Sequence, residues 1–212
     1  MTLQVYTCRI ARNMLILACC LTVAACAGPQ DSESTYERRI IKSRVAKDLQ
    51  FFDPETTILR PKEVAEFTGL RYFPVDSTHR YIVPFERIER PATVLISKQK
   101  SNPVPYQHIG YVAIPGPDTT ISLSVFFSDE MESGSGWIPF TDATSNIETY
   151  GGGRYLDIEL RDDGHAVVDF NQATNPYCVY NAYDFNCAIP PASNRLTFRM
   201  PVGEKKPLLL DG

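Results

Sequence analysis

The second half of the sequence alternates between apolar and polar residues over short runs, and this pattern restricts the fold more than any other feature. The alternating runs are residues 121–127, 156–160, 166–170 and 196–200. Because side chains in a β-strand point to opposite faces in turn, alternation predicts strands with one buried face. Asp162-Asp163-Gly164 lies between the second and third runs and predicts a hairpin turn. Further β-rich runs occupy residues 79–85, 93–97 and 109–114. We therefore expect a mostly antiparallel sheet.

Two helices are predicted ahead of the sheet. Ser34 and Glu37 have the spacing of a capping box, which marks a helix start. A second, short helix is expected from Pro61 to near Gly69. The apolar residues that recur at helical spacing after the first start are Tyr36, Ile40, Ile41, Val45, Leu49 and Phe52. The first helix is therefore expected to be amphipathic and to pack on its own domain. The predicted fold class is mainly β (α+β), with this helix and a curled antiparallel sheet, sandwich or small barrel.

The N-terminus has the anatomy of a secretory signal. Arg9 and Arg12 precede an apolar run over residues 14–25, which is shorter than the roughly 18 to 20 residues that cross a bilayer. The run ends in Val23-Ala24-Ala25-Cys26, which resembles the bacterial lipobox. We expect residues 1–25 to be removed, Cys26 to be lipidated, residues 26–33 to form a tether and residues 34–212 to form one globular domain. The alternative is an ordinary secretory signal that ends near a cysteine.

This N-terminus also predicts where the protein is located. A lipidated cysteine would anchor the chain to a bacterial membrane, facing away from the cytoplasm. The residue after Cys26 is alanine and not aspartate, which favours the outer membrane if the cell has two. We therefore expect a cell-envelope lipoprotein whose first partner is the membrane.

Charge and histidine spacing argue against several classes of function. The chain carries 21 Lys and Arg against 25 Asp and Glu, and the loss of Arg9 and Arg12 makes the mature protein more acidic still. Nucleic-acid binding requires clustered basic residues, so it is not expected. His79, His108 and His165 are too scattered to form a metal-binding motif. We expect neither a metal nor another cofactor.

The cysteines predict one disulfide. Of the six in the chain, three lie within the signal and Cys26 is the lipidation site. Cys178 and Cys187 remain, and they would enter an oxidising compartment, where such a pair normally forms a disulfide. The alternative is a pair of reduced, buried thiols.

Several polar segments between residues 139 and 204 resemble a known family. They are the segments 139–144, 148–157, 169–171, 175–178, 187–191, 194–196 and 203–205. They are similar to the F-x-D-x-T, T-Y-x-x-G-R-Y-L, D-F-N, N-P-x-C and C-x-x-P-P-x-x-N-x-L series of a bacterial family catalogued as domain of unknown function 1684. The resemblance covers most of residues 36–206, with Thr174 in place of tyrosine and Ala188 in place of proline. It implies no activity.

These segments supply a candidate polar site. Its members are Asp142, Glu148, Tyr150, Arg154, Asp157, Asp169, Asn171, Asn175 and Asn194. In an enzyme, the carboxylates would supply an acid and a base while Arg154 would hold an anion. In the structural interpretation, the same residues bridge charges and satisfy loop backbone groups. The glycine run 151–153 is expected to form a tight turn and not a phosphate loop, because a strand follows it.

Three functions remain open from the sequence, and whether the protein is an enzyme is undecided. The first is a non-catalytic envelope module that binds a small polar ligand, a glycan or an envelope protein through the tyrosine- and asparagine-rich stretch 177–183. The second is an extracytoplasmic hydrolase that uses the Asp, Glu and Arg residues. The third is a structural lipoprotein without a small-molecule site.

Overall fold

The structure is a computed structural model that describes residues 33–208. The predicted signal, Cys26 and most of the tether lie outside the described residues, as do residues 209–212. The helices and strands are α1 (Glu33–Phe52), α2 (Pro61–Glu66), β1 (Arg80–Ile96), β2 (Val104–Pro115), β3 (Thr120–Phe127), β4 (Ser135–Phe140), β5 (Arg154–Leu160) and β6 (His165–Asp169).

The six strands form a closed antiparallel barrel. Each strand pairs with the next along the chain, and β6 pairs with β1 to close the sheet. The predicted mainly β fold with an N-terminal helix is confirmed, and among the sheet arrangements that the sequence left open it is the barrel that forms. Closure gives β6 and residues 80–84 of β1 strand partners at the seam, whereas residues 85–96 of β1 pair only with β2.

The apolar residues of the alternating runs fill the barrel interior. On β5, Leu156 and Ile158 are buried in the main core, whereas Tyr155 and Asp157 lie on the outer face. The interior residues from the other elements include Val112, Ile114, Leu123, Val125, Ile138, Phe140, Ala166, Val168 and Phe170. The alternation thus orients the strands, because only one register places these apolar side chains away from water.

Two strand predictions differ from the structure. The runs 79–85 and 93–97 belong to one strand, β1, whose pairing with β2 shifts register between Arg87 and Ala92. This irregularity interrupts the alternation and makes one strand look like two. β4 was not predicted at all, because Gly136 and Pro139 weaken its strand pattern.

The predicted strand over residues 196–200 is wrong. This segment belongs to none of the six strands, and the isolated bridge between Arg195 and Thr141 lies just before it. Leu196 and Met200 are nevertheless buried in the main core. An alternating pattern indicates that one side of a segment is buried, but it does not show that the segment pairs with a strand. The barrel closes without this segment.

The first helix is correctly located but differs in detail. Ser34 lies inside α1, so its predicted role as the capping residue is wrong. Tyr36, Ile40 and Phe51 are buried, as a helix packed on its own domain requires. Four other predicted packing residues are exposed, and they are Ile41, Val45, Leu49 and Phe52. α2 ends at Glu66, close to the predicted end. Within residues 33–208, neither helix has the length and apolar character needed to cross a bilayer.

Candidate functional site

The nine residues of the predicted polar site do not converge on one cavity. Five are nine-tenths or more buried and hold backbone segments in place, namely Asp142, Arg154, Asp169, Asn171 and Asn194. Asn175 is equally buried but belongs to a separate cluster. Glu148 and Tyr150 make surface contacts, and Asp157 faces a groove on the outside of the barrel.

Asp142 and Arg154 form a buried polar network at one end of the barrel. The Arg154 guanidinium lies 3.4 Å from an Asp142 carboxylate oxygen and donates to the carbonyl oxygens of Met200 and Val202. Asp142 also accepts from the Met200 amide at 2.7 Å and from the Thr144 hydroxyl at 2.9 Å. Burial lowers the pKa of Arg154, and the charge of Asp142 opposes this effect. The protein itself supplies the partners of both charged groups, with Arg154 Nε the one atom left without one, so the network orders the segment 200–202.

Two asparagines pair with backbone as a neighbouring strand would. Asn194 accepts from the Ser124 amide at 2.8 Å and donates to the Ser124 carbonyl oxygen at 2.9 Å. β3 and β4 share only the register pair Phe126 and Trp137, so Asn194 satisfies a part of β3 that β4 leaves unpaired. Asn171 makes the same pair of hydrogen bonds with the backbone of Asp76. The amide side chain suits this role because it carries a donor and an acceptor side by side.

Asp169 connects the end of β6 to α1. Its carboxylate accepts a hydrogen bond of 2.8 Å from the Tyr36 hydroxyl and one of 3.1 Å from the Asn171 amide. Burial raises the pKa of Tyr36, and the hydrogen bond to Asp169 raises it further. Tyr36 therefore stays protonated as a donor. This contact fixes the helix against the barrel.

A third cluster surrounds Glu204, which is fully buried. Its carboxylate accepts from Lys47 at 2.7 Å, from the Asn175 side chain at 2.9 Å and from the Tyr180 hydroxyl. Burial and the neighbouring Glu204 carboxylate raise the pKa of Tyr180. Because Lys47 lies on α1, the cluster joins the helix, the loop after β6 and the C-terminal segment. Tyr180 was a predicted recognition residue, but it is buried here as a donor.

The glycine run and the cysteine pair both shape loops. Gly153 has a positive φ of 90°, and a Cβ added there would lie 2.5 Å from the Phe140 carbonyl oxygen. This geometry matches the expected tight turn.

The sulfur atoms of Cys178 and Cys187 are bonded, and their Cα atoms are 5.9 Å apart. The disulfide closes the loop 178–187, which carries the tyrosine- and asparagine-rich stretch.

An open groove with a volume of about 780 Å³ lies outside the barrel. α1 forms one wall, the disulfide-closed loop forms another, and the outer faces of β2, β4 and β5 form the base. The aromatic residues that line it are Tyr106, Trp137, Tyr155, Tyr177 and Phe185. The charged residues are Lys47, Lys98, Glu130 and Asp157. We call this cavity the aromatic groove.

The base of the aromatic groove is a set of stacked rings beside a carboxylate. The rings of Tyr106 and Trp137 stack with centroids 5.0 Å apart, and Tyr155 meets Trp137 edge-on at 4.9 Å. The Tyr155 hydroxyl donates to the Ala188 carbonyl oxygen at 2.7 Å, which ties the base to the loop. Trp137 and Asp157 are register partners on β4 and β5, so their side chains lie next to each other.

Asp157 and Asn175 are the members of the predicted site that line this groove, and of the two only Asp157 is exposed. Among residues 33–208, its carboxylate makes neither a hydrogen bond nor an ion pair. The groove walls exclude enough water to raise the pKa of Asp157 above its usual value, although the side chain remains exposed. A carboxylate left without a partner beside aromatic rings is suited to accept hydrogen bonds from a ligand.

Sequence reasoning missed most of this groove. Trp137 is the only tryptophan of the chain, which was a usable signal. Tyr106, Lys98 and Glu130 come from segments that carried no recognisable motif. Within residues 33–208, no cluster of three or more His, Cys, Asp or Glu side chains is arranged to hold a metal ion.

Comparison with known proteins agrees with this architecture. The molecule is a six-stranded antiparallel barrel with a long N-terminal helix and a disulfide-closed loop over an outer groove. The sequence profile of DUF1684, described as a protein of unknown function, matches residues 65–205. The chain therefore belongs to the DUF1684 family, which confirms the resemblance seen in the sequence.

Solved structures also match, and one of them is similar to this chain over nearly the whole length of the solved protein. It is the solution NMR structure of an uncharacterized protein of Haloarcula marismortui, with 29% sequence identity and a TM-score of 0.64. The similarity covers 81% of this chain and 95% of the archaeal one. No curated protein matches the sequence.

Proposed function

We propose that this protein is a lipid-anchored envelope protein that binds a small saccharide in the aromatic groove without chemically changing it. The observation that carries this proposal is the unpartnered Asp157 carboxylate in a groove lined by aromatic rings, of which Tyr177 is 44% exposed while Trp137 belongs to the packed base. A sugar ring offers an apolar C–H face to aromatic side chains and hydroxyl donors to a carboxylate. The anchor is Cys26, and the location is the cell envelope, at the outer membrane if there are two.

The buried polar networks support binding over catalysis. Catalytic carboxylates must reach the substrate, whereas Asp142 and Asp169 are enclosed by protein donors. Arg154, the proposed anion holder, is only 1% exposed. Of the four predicted acid–base residues, Asp157 faces the aromatic groove and Glu148 pairs with Arg199 at the surface.

One observation favours a glycoside hydrolase as the second candidate. The pKa of Asp157 is raised by desolvation, which is a property of general acids, and Glu130 lines the same groove. The two candidates separate experimentally. A hydrolase releases new reducing ends from an oligosaccharide and loses this activity in Asp157→Asn, whereas a binding protein releases none.

Binding is tested by titration with oligomers of glucosamine, N-acetylglucosamine and glucose, followed by tryptophan fluorescence. Because Trp137 is the only tryptophan and lies in the groove, its emission reports on this site. Tyr177→Ala removes an exposed groove ring, and the Kd for the bound oligomer should rise about tenfold, or about 1.4 kcal/mol. Tyr183→Ala is the matched control, because Tyr183 is 80% exposed and does not line the groove.

The outcomes of the titration are distinct. Equal loss of affinity in both tyrosine variants would place the ligand elsewhere on the loop. The absence of any fluorescence response across the three oligomer series would refute the saccharide assignment.

The anchor has its own test. Cys26→Ala should abolish labelling of the protein by radioactive palmitate and release it from the membrane fraction. Undiminished labelling of that variant would refute the lipidation site.

A further inference from the structure

The outer face of α1 exposes an apolar stripe. Ile41, Val45, Leu49 and Phe52 are 46%, 52%, 63% and 51% exposed. Their spacing of three and four residues places them on one side of the helix, because each helical residue advances by about 100°. Four large apolar side chains in one row are more than the isolated exposed residues normal for a protein surface.

Basic residues accompany this stripe. Arg38 and Lys42 project from the same side of α1, next to Val45 and Leu49 on the helical wheel. The acidic residue Asp48 at the opposite border accepts a hydrogen bond of 2.7 Å from the Leu70 amide, so it is held against the protein. Glu37 also lies at that border. An apolar row with flanking Arg and Lys is the pattern of helices that lie on anionic membrane surfaces.

The position of the anchor makes a membrane the natural occupant. Cys26 precedes Glu33, the first residue of α1, by seven positions. An extended chain spans at most about 3.6 Å per residue, so the start of α1 would lie within about 25 Å of the lipid acyl chains. We infer that the outer face of α1 rests in the headgroup region of an anionic phospholipid membrane, with the apolar stripe at the acyl boundary. This inference rests on the proposed lipid anchor.

This orientation determines which way the aromatic groove opens. The α1 residues that line the groove are Ser43, Ala46, Lys47 and Gln50, and on the helical wheel they lie nearly opposite the apolar stripe. With the stripe on the bilayer, the groove faces away from it. Its ligand would then arrive from the aqueous side and not from the lipid.

The test uses the full, lipidated chain in vesicles of phosphatidylethanolamine and phosphatidylglycerol that carry bromine atoms on the acyl chains. Bromine quenches tryptophan only at close range, so Leu49→Trp reports on contact between the stripe and the lipid. Leu95→Trp is the matched control, because Leu95 is 69% exposed and lies on β1 and not on α1. The unsubstituted chain gives the background from Trp137, and Val45→Trp replaces Leu49→Trp if the latter fails to fold.

We expect brominated vesicles to reduce the added emission of Leu49→Trp at least twofold and to leave that of Leu95→Trp unchanged. Equal quenching of the two variants, on vesicles to which the protein is bound, would refute the contact between the apolar stripe and the membrane but leave the lipid anchor standing. In that case, residues 27–32 or a second copy of the chain would have to cover the stripe. Failure of the lipidated chain to float with the vesicles would refute the anchor and, with it, this inference.

Discussion

Asn194→Asp keeps the shape of the side chain and tests its role as a hydrogen-bond partner of the Ser124 backbone. Asn194 is fully buried and donates to the Ser124 carbonyl oxygen at 2.9 Å. In the variant, a carboxylate oxygen would replace that donor and face the Ser124 carbonyl oxygen without a hydrogen. The Ser124 amide, 2.8 Å from the other oxygen, would still be satisfied. The variant therefore loses one hydrogen bond and gains an uncompensated buried charge.

The expected cost depends on pH, and its sign follows from the burial. A buried charge without a partner costs about 3–5 kcal/mol near pH 7. A protonated carboxyl can again donate to Ser124, which leaves a cost of about 1 kcal/mol. The difference of about 2–4 kcal/mol raises the pKa of the new carboxyl by about 1.5–3, from about 3.9 in the unfolded chain. The folded state therefore keeps the proton to a higher pH than the unfolded chain does, and the destabilisation grows as pH rises from about 4 to about 7.

Urea unfolding followed by Trp137 fluorescence measures this effect. The free energy of unfolding of the variant is compared with that of the unsubstituted protein at each pH between 4 and 8, so that other titrating groups cancel. Asn194→Ala is the control, because it should lose about 2–3 kcal/mol at every pH. A destabilisation by Asn194→Asp that does not change with pH, or that stays below about 1 kcal/mol at pH 7, would refute the assigned role of the side chain.

Three further perturbations test other parts of the structure. Replacement of Cys178 and Cys187 by serine should lower the free energy of unfolding by about 2–3 kcal/mol, because a loop of this length is no longer closed in the unfolded chain; an unchanged urea midpoint would contradict this. Asp157→Asn should stabilise the protein near neutral pH and not below about pH 4, since the raised pKa opposes ionisation only in the folded state; a loss of stability at pH 7 would show a missed partner. Gly153→Ala should cost about 2 kcal/mol or more in calorimetry, and more than Gly164→Ala, where φ is also positive but no atom lies within 4 Å of the added Cβ; equal costs would exclude the clash.

The sequence correctly predicted which strand or loop carries the polar residues, but not which residues they contact. Asp157 and Arg154 were expected on opposite faces of one strand, and the structure has them so. The partners could not be predicted, because Asp142 meets Met200 across 58 positions and Asn194 meets Ser124 across 70. No local pattern encodes contacts at such separations.

The sequence by itself determined the classes of segment. Period-two alternation specified one-sided strands, helical spacing specified α1, and the motif series identified the family. These properties are local, since they follow from backbone geometry and the side-chain period.

Only the tertiary structure decided what each polar residue does. Closure of the barrel buried Arg154, Asp169 and Asn194 against backbone groups that water could no longer reach, so these side chains became structural partners. The same closure left Asp157 on the outer wall beside Trp137, where α1 and the disulfide-closed loop enclose a groove. Which neighbours the fold supplies therefore decides whether a carboxylate is enclosed by protein donors or left open to the groove.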